Sequence, residues 1–192
     1  YQLTFVDGMA AKLPVLNSET SVCTIMTSGY DPEIARFSPF HAGVYSVVEA
    51  AAKAVALGAD LKRIRLTLQE YFERLGDDPD KWGKVLAALL GAYHAQKNLG
   101  IPAIGGKDSM SGTFNDLNVP PTIVTFAIAP ADANNVVSPE FKEIGSHVIL
   151  LPVIIDRNCM PDFDQMTANF RKISELIIEG KVKAACAVKS AG

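Results

Sequence analysis

A mixed α/β (α+β) fold, a sheet with helices packed on it, follows from three features of this 192-residue sequence. Apolar, β-branched runs recur at 22–27, 62–68 and 120–129. Two long segments, 43–57 and 78–99, carry helical spacing. Glycine, proline or aspartate closes most of these segments, which is the punctuation that separates elements.

The first 20 residues carry little pattern, so the run Val-Cys-Thr-Ile-Met-Thr at 22–27 is the first predicted strand, ended by Ser28 and Gly29. After the turn-rich Asp31-Pro32 and Ser38-Pro39, residues 43–57 are alanine- and valine-rich nearly all round, which predicts a helix buried on several sides. Gly58 ends it. Residues 62–68 alternate polar and apolar, so Ile64, Leu66 and Leu68 are predicted to face inward. A short helical turn over 69–75 follows.

Asp78-Pro79 is a helix start, with an N-cap carboxylate and a proline whose missing N–H costs nothing there. The predicted helix runs to Leu99. Trp82, Val85, Leu86, Leu89, Leu90 and Tyr93 supply its apolar spacing, and Gly100 stops it. An extended run at 101–104 leads into a glycine-rich segment, and 120–129 and 147–153 are predicted strands. A boundary is expected between 131 and 143, dividing a domain of 1–135 from a partial one of 136–192. The latter holds the strand 147–153, a helix at about 165–179 with Phe170, Ile173, Leu176 and Ile177 on one side, and a strand-like run at 182–188. The chain starts without methionine and reads as a piece of something longer.

Composition limits what such a fold does. With 48% apolar residues, 20% charged residues and a net charge of −3, the chain has no basic field for nucleic acid or an acidic membrane surface. No apolar run approaches the roughly 20 residues of a membrane span. Cys23, Cys159 and Cys186 are odd in number and set among apolar or small neighbours, which predicts buried free thiols and a cytoplasmic setting. His41, ahead of the buried helix, could approach a substrate but reads first as a histidine satisfied by backbone at a helix start, and His94 and His147 have no ligand-spaced partner, so no zinc site is expected. Asp77, Asp78 and Asp80 favour the positive end of a helix dipole and need no metal.

The chemistry concentrates in residues 105–113, Gly-Gly-Lys-Asp-Ser-Met-Ser-Gly-Thr. Gly105 and Gly106 let backbone approach a ligand, Lys107 offers a point charge for phosphate, Asp108 a carboxylate for Mg²⁺, and Ser109 and Ser111 hydroxyls for phosphate oxygens. The same residue types also make an ordinary turn between strands. Glu49 and Lys53, four apart on an apolar helix, are either an exposed ion pair worth about 0.3–0.5 kcal/mol or the wall of a ligand cleft.

Glu-Tyr-Phe-Glu-Arg-Leu-Gly at 70–76, Ala-Ile-Gly-Gly-Lys-Asp-Ser-Met-Ser-Gly-Thr at 103–113 and Val-Pro-Pro-Thr-Ile-Val-Thr-Phe-Ala at 119–127 closely resemble the phosphoribosylformylglycinamidine synthase family. Glu49 and Ala-Asp-Leu-Lys-Arg-Ile-Arg-Leu at 59–66 add to the match. The resemblance is to the second of the family's two synthetase halves, from about Val22 onward. It implies the fold of aminoimidazole ribonucleotide synthetase, whose N-terminal domain pairs with its counterpart before a second α/β domain. It also implies a glutamine-dependent ligase of purine biosynthesis that uses ATP, leaves ADP and needs Mg²⁺. Partners would be the rest of the parent chain, namely the first synthetase half and a glutaminase domain, and the isolated domain pairing with a copy of itself stays open.

Carried over by resemblance, Asp108 and Glu49 are metal ligands, and Lys107, Ser109 and Ser111 contact nucleotide phosphate with Gly105 and Gly106. Two positions depart from the pattern. Related synthases carry asparagine where this chain has Lys53, and some carry aspartate where it has Val22, so two oxygen ligands are missing. Lys53 is expected to replace part of the metal cluster, or else this half's site is degenerate. No catalytic residue is assigned. A non-catalytic scaffold domain, or another ATP-using member of the superfamily such as selenophosphate synthetase or thiamine-phosphate kinase, is the alternative.

Overall fold

A computed structural model describes residues 7–188. Five strands form a mixed sheet: β1 (Gly8–Lys12), β2 (Val22–Gly29), β3 (Arg65–Tyr71), β4 (Ala103–Lys107) and, after the hairpin strands β5 (Thr113–Phe114) and β6 (Leu117–Asn118), β7 (Thr122–Asp132). Their order is β1-β2-β7-β3-β4. Helices α1 (Pro32–Phe37), α2 (Pro39–Ala56), α3 (Pro79–Leu99) and α4 (Phe163–Ile178) complete the described elements, with short 3₁₀ turns at Leu61–Arg63 and Ala133–Asn135. The contacts divide into two units. One comprises Ser28–Ala50 and Arg65–Ala127, the other the chain up to Thr27, Ala51–Ile64 and the chain from Ile128 onward.

In the first unit, β3 and β4 run parallel, pairing Leu66 with Ala103 and Gln69 with Lys107 across an irregularity. The predicted inward alternation holds: Ile64, Leu66 and Leu68 are buried. Residues 69–75 make no helical turn, because β3 continues to Tyr71 and Phe72 bonds onward to the chain after β4. Asp78 caps α3 by accepting from the Asp80 N–H at 3.0 Å, Pro79 occupies the first turn, and Gly100 closes the helix at φ 69° with its N–H on the Gln96 carbonyl.

The buried face of α3 differs from the predicted one. Val85 is buried, but its companions are Ala88, Gly91, Ala92, Ala95 and Leu99, while Trp82, Leu86, Leu89, Leu90 and Tyr93 are exposed. Small residues win because α2 and α3 touch backbone to backbone. A Cβ on Gly43 would collide with the Ala88 carbonyl oxygen, and one on Gly91 with that of Phe40. Close approach excludes water more completely than bulk does, so the larger side chains are displaced to the other face. Between α2 and β7, Ser46 Oγ lies 2.8 Å from Thr125 Oγ1 and donates to the Gly43 carbonyl, which satisfies both buried hydroxyls.

In the second unit, β1 pairs antiparallel with β2 from Gly8 opposite Thr27 to Lys12 opposite Cys23. The end of α2 is buried from Ala54 to Leu57, and Gly58, at φ 110°, lets the chain pass beside the Asn135 carbonyl. The α4 N-cap is Asp162, and Met166 and Ile177 are its buried residues. The strands predicted at 147–153 and 182–188 are not formed. A strand needs a ladder for its N–H and C=O groups, and no described strand lies beside either run. The apolar Val148, Ile149 and Leu150 are consequently exposed.

The thiols also differ from expectation. Cys23 is buried, whereas Cys159 and Cys186 are exposed. Burial pushes the Cys23 thiol up, with the Asp132 carboxylate adding to the rise. Thiolate is the reactive form. Titration with a thiol-specific chromophore is therefore expected to modify two cysteines in the folded chain and the third only in denaturant; fast labelling of all three would contradict this packing.

Candidate functional site

The glycine-rich segment starts as strand rather than loop. Gly105 and Gly106 lie within β4 opposite Thr67 and Leu68 of β3, and neither has positive φ. A Cβ on Gly106 would sit 2.9 Å from the Leu68 carbonyl oxygen, so glycine there serves strand approach, whereas one on Gly105 would have only Thr67 Oγ1 within 4 Å, at 3.8 Å. Lys107 ends the ladder, with its carbonyl accepting from Gln69 Nε2 at 3.3 Å and its side chain exposed.

The chain then stays tied to the continuation of β3. The Ser109 N–H donates to the Glu70 carbonyl at 3.1 Å, and the Ser109 carbonyl accepts from Phe72 at 2.8 Å. Gly112 donates to the Phe72 carbonyl, and a Cβ there would strike Val119. Thr113 Oγ1 accepts from the Arg74 N–H at 2.9 Å and donates to Asn118 Oδ1 at 2.7 Å, anchoring the β5–β6 hairpin, whose turn uses Asn115 at φ 51°. Between these ties Asp108 is exposed and Ser109 Oγ lies 2.8 Å from Ser111 Oγ. The result is a short arch, fixed at both ends, that presents a cation, a carboxylate and two hydroxyls.

Glu70 was not among the expected site residues, yet it is a buried carboxyl that feels the like charge of Asp108. It is buried at 8% exposure, and its pKa is raised, first by burial and then by the Asp108 charge. The signal was present in the alternation that buries Ile64, Leu66 and Leu68, which places position 70 on the same inward face. A buried carboxyl on β3 therefore feels the charge of an exposed one just past the end of β4.

Glu49 sits on α2 below the end of β2, where its Oε2 accepts the Tyr30 N–H at 2.9 Å. Gly29 permits this, since a Cβ there would collide with the Ser46 carbonyl oxygen. Lys53 follows one turn later and is half-buried. Val22, at the start of β2, is 45% exposed and brings no ligand atom. Among the described residues, no three His, Cys, Asp or Glu side chains gather as a metal-binding group, and no helix is long and apolar enough to cross a membrane.

A mixed five-stranded sheet with flanking helices matches the fold of aminoimidazole ribonucleotide synthetase-like domains. Its particular carriers are structures of phosphoribosylformylglycinamidine synthase. The synthase II of Thermotoga maritima matches 89% of this chain with a TM-score of 0.65 at 16% identity. The T. maritima PurL structure complexed with ADP matches 91% with a TM-score of 0.67 at 15% identity, and that complexed with FGAR matches 91% with a TM-score of 0.66 at 17% identity. The chain spans about a quarter of the length of each, 26–27%. No family model and no curated protein matches the sequence.

Proposed function

We propose that this chain is the nucleotide-binding piece of an ATP- and glutamine-dependent phosphoribosylformylglycinamidine synthase, the ligase that converts formylglycinamide ribonucleotide to its amidine in purine biosynthesis. One observation carries this reading: the Gly-Lys-Asp-Ser-Met-Ser string occupies a fixed arch in a fold that matches the ADP-complexed synthase over 91% of the chain. Residues 1–135 then form the nucleotide-binding type of domain, and 136–192 open a second domain completed elsewhere in the parent chain.

In this reading Lys107 neutralises phosphate as a point charge, Ser109 and Ser111 donate to its oxygens, and Gly105 leaves room for it to approach. Asp108 holds Mg²⁺ together with Glu70 or Glu49. Two carboxylates suffice, because Mg²⁺ keeps several waters and takes one or two protein ligands plus phosphate oxygens. When bound, the ion neutralises the charge of the phosphates. Lys53 supplies positive charge where related synthases place an asparagine ligand. The first synthetase half and a glutaminase domain supply the remaining chemistry, so the chain alone is expected to be inactive even with ammonium chloride as nitrogen donor.

Titration with ADP, with and without Mg²⁺, tests the site. Lys107→Ala is expected to weaken binding by about tenfold, the loss of one charge-assisted contact, and Asp108→Asn to remove the Mg²⁺ dependence while leaving metal-free binding nearly unchanged. Absence of any binding sinks the nucleotide role. A scaffold role would then stand on the partly exposed Tyr71 and Phe126, at 37% and 43%, at outward positions of β3 and β7.

A further inference from the structure

The exposed side of α3 calls for its own explanation. Trp82, Leu86, Leu89 and Tyr93 are spaced four, three and four residues apart, the a/d rhythm of a helix seam, and Leu90 widens the stripe. Their exposures are 53, 58, 38, 61 and 49% in the order Trp82, Leu86, Leu89, Tyr93 and Leu90. Trp82 has its indole N–H satisfied by the Gly76 carbonyl at 3.0 Å, which leaves the ring free for apolar contact. Together the five side chains offer on the order of 500 Å², the upper end of what a monomer's largest surface patch exposes.

We propose that this face is covered by the same face of a second copy of the chain, in an antiparallel α3–α3 pair about a two-fold axis. The stripe is its own complement. With the axis between Ala87 and Ala88, Trp82 meets Tyr93 of the other copy, and Leu86 meets Leu89, so each of these four side chains finds an apolar partner. The charges obey the same symmetry. Exposed Asp77 and Asp80 stand at the helix start, where Lys81 and Lys84 are taken up by Glu73, and exposed Lys97 stands at its end, so the pairing sets each acidic start against the other copy's basic end and aligns the helix dipoles favourably. A parallel pair would set like charges together. Two copies cover about 1,000 Å², the lower bound of a specific interface, which predicts a dimer that dissociates at micromolar concentrations.

The self-association of the chain, measured by sedimentation equilibrium over a wide concentration range, tests this pairing. A monomer–dimer equilibrium is expected, abolished in Leu86→Asp and in Tyr93→Asp. Lys97→Asp alone should weaken the dimer several-fold, and combining it with Asp77→Lys and Asp80→Lys should restore it; these fully surface positions do not bear on the core. A chain that stays monomeric at hundreds of micromolar, or a dimer indifferent to Leu86→Asp, overturns the proposal. So does a dimer lost in Leu86→Asp whose charge reversals show no rescue, since its geometry is then not antiparallel.

Discussion

Gly91→Ala is expected to destabilise the chain by about 3 kcal/mol or more, a large share of a domain's total stability. The added methyl has no space, because it would lie against the Phe40 carbonyl oxygen and carbon of α2, and neither is the end of a flexible side chain. Relief requires α2 and α3 to separate, which would open the contact made reciprocally by Gly43 on Ala88 and Ala92. Gly83 of the same helix provides the control. A Cβ there meets nothing within 4 Å, so Gly83→Ala should stabilise by about 0.5–1 kcal/mol through helix propensity alone. Urea unfolding midpoints at constant slope read both variants. Equal and small effects of the two would show that α2 and α3 do not pack on their glycines.

That contrast also marks where sequence reasoning about this fold stops. The ends of α3 were legible because capping is local: Asp78, Pro79 and Gly100 act within one turn of themselves. Its buried face was not, because ranking residues by hydrophobicity favours Trp82 and Leu86, whereas backbone contact with another helix selects glycine and alanine. A partner's shape is not written in the helix it selects. The run at 147–153 shows the reverse problem, with strand composition present and the neighbouring strand that would make it a strand absent from the described elements. For the candidate site, residue types revealed the arch at 107–111, while the reason it is rigid lies in bonds from Glu70, Phe72 and Arg74, some forty residues earlier in the chain. The two exposed cysteines were misread because apolar neighbours in sequence, such as Ala185 and Ala187, say little about burial when their segment forms no strand.

Glu73→Gln is expected to cost about 1–3 kcal/mol at neutral pH, and the cost should disappear in acid. Glu73 is 6% exposed where the chain leaves β3 for α3. Its carboxylate takes Lys84 Nζ at 2.6 Å and Lys81 Nζ at 3.3 Å, and Lys81 also bonds the Arg74 carbonyl at 3.1 Å. The Lys84 hydrogen bond, followed by that of Lys81, holds the Glu73 pKa below its ordinary value against the opposing effect of burial. A depressed carboxyl stabilises the fold fully above its unfolded pKa of about 4.3 and loses that contribution as pH falls through the lower folded value. The gap between wild type and Glu73→Gln should therefore close in that window. Glu70, three residues earlier, runs the other way. Its raised pKa means that the fold favours the protonated form, so the penalty is absent below about pH 4.3 and complete once pH exceeds the folded value. Glu70→Gln should gain on wild type as pH rises. Where Glu70 rather than Glu49 joins Asp108 in holding Mg²⁺, the ion would offset this opposition, so millimolar Mg²⁺ should then shrink the Glu70→Gln advantage at neutral pH and leave the Glu73→Gln loss untouched. Unfolding midpoints from pH about 3 to 8 separate the two. A parallel pH response of both variants would mean that the two carboxyls do not occupy opposite electrostatic environments.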